Sequence, residues 1–181
     1  MNLRLAALTL LLLGGASALS PLRAQAVAPC STFRQAMVQS VFDLKPEFVR
    51  PLVVSRSEGG AGTIDTFDLV TGQRIDGALR CAGERLLSFE AKIALPADAR
   101  LLEMFERVQQ SALVAALRWT SGHALTKVRT LSKEAAENLR GSEERGDVAV
   151  SGRVEEHAGS GTDIGLMWTR TDHSFVIITG Q

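Results

Sequence analysis

The stretch Ala97-Asp-Ala-Arg-Leu-Leu-Glu-Met-Phe-Glu-Arg-Val-Gln-Gln-Ser-Ala-Leu-Val-Ala-Ala-Leu-Arg-Trp119 decides the fold. Its apolar positions Leu101, Phe105, Val108, Ala112, Ala115 and Trp119 recur at i, i+4, i+7, i+11, i+14 and i+18, one stripe at 3.6 residues per turn. The spacing predicts a long helix over 97–119 whose stripe faces a core. Glu103, Glu106, Arg107, Gln109 and Gln110 make the rest of its first half polar, whereas Leu113, Val114 and Leu117 surround its second half with apolar side chains. Pro96 suits a first turn, Asp98 and Arg118 complement the helix dipole, and Gly122 offers a stop beyond the end.

A helix with one apolar stripe needs a sheet or another helix to cover it, and the chain supplies strands on both sides. Upstream, 63–95 reads as a meander of strands 63–70, 74–81 and 85–95, with Thr71-Gly72-Gln73 and Ala82-Gly83-Glu84 as tight connections. Ile75, Gly77, Leu79 and Cys81 share one face, as do Leu87, Phe89, Ala91 and Ile93, while Ser88, Glu90 and Lys92 point to water. Downstream, 147–179 reads as a second meander of strands 147–157, 163–170 and 174–179. Val148, Val150, Gly152 and Val154 are expected on one face of its first strand, and Phe175-Val-Ile-Ile178, apolar on both faces, belongs in a central position. Two shorter helices are expected, one over 31–44 capped by Ser31 or Thr32, the other a polar surface helix over 132–144 capped by Ser132 and interrupted by Gly141. Residues 125–131 read as extended, and 48–54 as a connection into a short strand. The fold class is therefore α+β, with one antiparallel sheet built from two meanders and packed on the long helix.

Residues 1–26 have the tripartite form of a secretory signal. Arg4 opens them, an apolar run fills 5–13, and Ala24-Gln25-Ala26 offers a small-x-small cleavage site. Residues 27–181 then form one domain, long enough to bury roughly 70% of the surface of its unfolded chain. Arg4 and Arg23 leave with the leader, so a chain balanced at 20 basic and 20 acidic residues becomes slightly acidic, which gives no basis for nucleic-acid binding. After cleavage no stretch has the length or apolarity of a membrane span. Cys30 and Cys81 are expected to pair in the oxidising periplasm or outside the cell, where a bridge over that separation is worth about 4 kcal/mol in the loop-entropy model.

The chemistry-bearing residues form no motif, and the sequence implies no cofactor or metal. Ser57-Glu-Gly-Gly-Ala-Gly-Thr63 lacks the lysine and spacing of a phosphate loop, and Ser160 sits in a hairpin turn where a nucleophile elbow requires a strand and a helix. Glu155, Glu156, His157 and Asp163 are near in sequence, but alternation puts Glu156 on the face opposite Glu155 and His157. His123 reads as a capping aid at the end of the long helix. Trp168, Arg170 and His173 are the candidate partner contacts, although Trp168 shares a core-facing parity with Ile164 and Leu166. These residues point to a periplasmic or secreted non-enzymatic module that binds a protein or envelope component through a sheet face or edge. The alternatives are a small hydrolase whose acids and histidine meet only in three dimensions, and a carrier of an apolar ligand held between helix and sheet.

Overall fold

A computed structural model of the protein describes residues 27–49, 64–159 and 161–180. The first part of the chain forms α1 (Cys30–Ser40), a 3-10 turn (Phe42–Leu44), β1 (Glu47–Val49), β2 (Ile64–Val70), β3 (Asp76–Ala82) and β4 (Arg85–Ala94). It continues with α2 (Ala99–Leu117), α3 (Ser121–Arg145), β5 (Ser151–His157), β6 (Thr162–Thr169) and β7 (Asp172–Thr179). All seven strands pair antiparallel in one sheet of order β1-β2-β3-β4-β7-β6-β5. The two meanders are joined where β4 meets β7, with Phe89 opposite Ile177 and Ala91 opposite Phe175. The expected α+β architecture is what forms. The leader at 1–26, the glycine-rich stretch 57–63, residues 50–54 of the expected connection and Ser160 lie outside the described residues.

The long helix is satisfied within the chain. Phe105, Val108 and Ala112 are buried, and α2 packs on α1, α3 and β4. Its bounds are narrower than the periodicity suggests: Asp98 is the N-cap, its carboxylate accepting from the Leu101 N–H at 2.7 Å, and Arg118 closes the helix in the left-handed region at φ 54°. Pro96 stands ahead of that cap, outside the first turn. Gln109, expected on the polar side, is buried, because α3 flanks α2 and leaves it only a narrow wet face.

The largest departure from the sequence reading is α3. Residues 125–131 are not extended, Gly122 is not a stop, and Gly141 does not interrupt: one helix runs through 121–145. Thr120 caps it by accepting from the His123 N–H at 3.3 Å, so Gly122 and His123 lie in its first turn and Ser132 in its middle. Ala124, Val128, Leu131 and Ala135 are buried, a stripe at i, i+4, i+7 and i+11 laid against β5 and β6. Contact with β5 is close enough to dictate a residue. A Cβ on Gly152 would stand 1.8 Å from the Ala135 carbonyl oxygen, so only glycine lets this strand meet the helix backbone.

At the other end of the sheet, the Cys30–Cys81 disulfide ties α1 to β3. Neither Ser31 nor Thr32 caps the helix, because the helix begins at Cys30 itself. Ser31 instead donates its hydroxyl to Glu84 Oε2 at 2.6 Å and its N–H at 3.1 Å, fixing the start of α1 to the β3–β4 turn and holding the Glu84 carboxyl below its usual pKa. The helix ends at Ser40, short of the expected 44, and Asp43 in the following 3-10 turn takes a two-pronged bond from Arg107 at 2.8 and 2.9 Å. Two strand details also differ. A register shift in the β3–β4 pairing brings Cys81 opposite Leu86 and Arg80 opposite Ser88, so Leu86, not Leu87, joins Phe89 in the core. β5 begins only at Ser151, leaving Val148 fully exposed and Val150 outside the strand. β7 is central as expected, but only its helix-side residues Phe175, Ile177 and Thr179 are buried, and Ile178 is 49% exposed.

Candidate interaction surface

All three helices lie against the face of the sheet that carries Phe89, Ile93, Phe175, Ile177, Ile164 and Leu166. Strand alternation sends the intervening residues to the opposite, open face. There the register sets three cross-strand rows over β4, β7, β6 and β5. They read Lys92–Ser174–Met167–Arg153, then Glu90–Val176–Gly165–Glu155, then Ser88–Ile178–Asp163–His157. The middle of this face is apolar: Met167 is 41% exposed, Ile178 49%, and Val176 is half-buried between them. Glu90 and Lys92 on one flank, and Arg153, Glu155 and His157 on the other, make a charged rim. Beside Met167, Gly165 is buried under a Val176 methyl, which would stand 2.9 Å from a Cβ at that position. A groove of about 300 Å³ follows it, lined by Glu90, Arg153, Glu155, Met167, Ser174 and Val176.

On the β5 side the rim charges are paired and wet. Arg153 bonds Glu155, and His157 Nδ1 meets Asp163 Oδ1 at 2.8 Å, with both side chains more than half exposed. Glu156 goes to the helix side and accepts from Lys127 Nζ of α3 at 2.6 Å, so the quartet of Glu155, Glu156, His157 and Asp163 is split between the two faces, as alternation requires. No three His, Cys, Asp or Glu side chains converge on a common point among the described residues.

The three candidate contact residues from the sequence cluster around the β6–β7 turn. Trp168 and His173 stack on each other, ring centroids 4.1 Å apart and planes 9° apart, at the helix-side end of β6 and β7. The indole Nε1 is buried without a partner among the described residues, and burial pushes the His173 imidazole pKa down against the opposing pull of Asp172. Arg170, in the turn, donates from Nε to Glu143 Oε1 of α3 at 3.0 Å. His123 is not at the end of the long helix but in the first turn of α3, where its ring meets Trp119 edge-on at 4.5 Å. The residues that the sequence reading did not assemble are Met167, Val176 and Ile178. For Val176 and Ile178 the signal is the apolar character of 175–178 on both strand faces. Comparisons with protein-family models, with curated proteins and with solved structures give no match to this chain.

Proposed function

We propose that this is an exported, non-catalytic binding module that engages a macromolecular partner through the open face of its sheet. The observation that carries this reading is the strip formed by Met167, Val176 and Ile178, apolar, solvent-facing and flanked by charge, on a sheet whose other face carries the helices. An apolar centre inside a polar rim is the anatomy of a protein interface. Export to the periplasm or beyond is supported by the leader-like form of 1–26 and by the Cys30–Cys81 bridge, a bond that persists in oxidising compartments. No helix among the described residues is long and apolar enough to cross a membrane.

The test places a photo-crosslinking residue at Ile178 and, separately, at Leu102, which is 39% exposed on the helical side. Irradiation in the envelope is expected to give discrete adducts from 178 only, and Met167→Asp should abolish them without altering the fold. Equal adducts from both positions, or substrate turnover by the purified domain, would overturn the assignment.

A further inference from the structure

We propose that the open face takes a cationic segment of a partner protein, one that presents lysine or arginine side chains with apolar residues between them. This rests on the reading of that face as an interface, and adds to it the chemistry of the occupant.

The argument begins with the register. Pairing of β4 with β3, β3 with β2 and β2 with β1 carries the three rows across the rest of the sheet. The middle row then reads Val49–Asp68–Ala78–Glu90–Val176–Gly165–Glu155. It crosses all seven strands, a span of about 29 Å, and it holds three carboxylates and no cation. The rows on either side are balanced. One reads Glu47–Val70–Asp76–Lys92–Ser174–Met167–Arg153, two acids against two bases. The other reads Thr66–Arg80–Ser88–Ile178–Asp163–His157, one arginine against one acid, with His157 bonded to Asp163. The excess negative charge of the face therefore lies along its centre.

The chain does not neutralise that line. Arg153 meets Glu155, but Asp68 and Glu90 are exposed and their side chains make no hydrogen bond or ion pair among the described residues. Lys92, two residues from Glu90, is set directly opposite Asp76 in the next row. Asp68 and Glu90 stand two strands apart, about 9.6 Å, too far to share a metal ion. Each has an apolar residue on both sides along the row: Val49 and Ala78 flank Asp68, and Ala78 and Val176 flank Glu90. A lysine or arginine laid across such a line rests its methylene stem on the valines and alanine and brings its charged head to a carboxylate. The other occupants meet opposition from the same line. Nucleic acid or an anionic bilayer sets negative charge on negative charge, and a second copy of the face brings an identical excess along its own centre.

The experiment measures binding of the mature chain to a fluorescent peptide of alternating lysine and leucine by anisotropy, with a glutamate-for-lysine peptide as its counterpart. The lysine peptide is expected to bind and the glutamate peptide is not. Asp68→Asn/Glu90→Gln should weaken binding by about tenfold, and Asp163→Asn, in a balanced row, by roughly twofold at most. All three side chains are exposed, and circular dichroism checks that each variant folds. Equal binding of the two peptides, or a loss from Asp163→Asn as large as that from the double variant, would overturn the inference. Co-sedimentation with phosphatidylglycerol vesicles would assign the face to a membrane, and dimerisation abolished by Met167→Asp would assign it to a second copy; either overturns the cationic partner. Adducts at Ile178 in the envelope without binding of the lysine peptide would overturn the cationic partner and leave the binding face standing. Neither adducts nor peptide binding would overturn both.

Discussion

Replacing Gly152 by alanine tests the seam that the sequence did not show, between β5 and α3. The added methyl carbon would sit 1.8 Å from the Ala135 carbonyl oxygen and 2.6 Å from the Leu139 nitrogen. Ordinary contact needs about 3.4 Å, so strand and helix must separate by more than 1 Å along a packed line, the situation in which overpacking costs about 3 kcal/mol. The lower backbone entropy of alanine in an unfolded strand returns somewhat under 1 kcal/mol of that. A net loss of about 2 kcal/mol should lower the melting temperature of a domain this size by roughly 4–8 °C. Thermal unfolding followed by circular dichroism measures it, with Gly72→Ala as the control, since a Cβ at that position meets nothing within 4 Å. A Gly152→Ala variant as stable as the wild type would refute the close approach of α3 to the strand.

Removing the bridge with Cys30→Ser/Cys81→Ser should cost about 4 kcal/mol in denaturant unfolding, and unchanged stability would show that α1 is held by packing alone. The pKa of His173 is depressed by burial, so as pH falls below about 6.5 the unfolded chain takes up a proton before the native one does, and stability should decline over that interval. His173→Phe, which keeps a ring against Trp168, should flatten this slope; a wild-type stability that rises on acidification would contradict it. Asp43, Glu84 and Asp147 are held below their usual carboxylate values by Arg107, Ser31 and Ser142 respectively. Their contribution is complete above about pH 4.5 and is lost only on further acidification through their folded pKa values, so the His173 window is separable from theirs.

The strands were legible because their signals are local. Thr71-Gly72-Gln73 and Ala82-Gly83-Glu84 mark turns without reference to the rest of the chain, and alternation placed Phe89, Ala91 and Ile93 correctly until the register shift at Leu86 and Leu87. In the middle of the chain the helix is not legible because propensity and packing disagree there. Gly122, Thr126, Val128 and Thr130 are weak helix formers, yet Ala124, Val128, Leu131 and Ala135 form a stripe whose burial on β5 and β6 outweighs them. The open face was half legible. Alternation alone puts Met167, Val176 and Ile178 outside the core, but setting Glu90 level with Glu155 requires the pairing of β4 with β7, and that register is fixed by a core contact between distant segments. Trp168 lies on the core side that its parity with Ile164 and Leu166 predicts, but half-buried at the end of the sheet with His173 as its cover.

The central claim is that the open face is covered when the protein is at work. Hydroxyl-radical footprinting of the chain in its own envelope, compared with the dilute purified domain, measures this directly at Met167, with Leu102 on the helical side as the reference. Met167 is expected to be protected in the envelope while Leu102 is labelled equally in both samples; equal labelling of Met167 in the two would contradict the account.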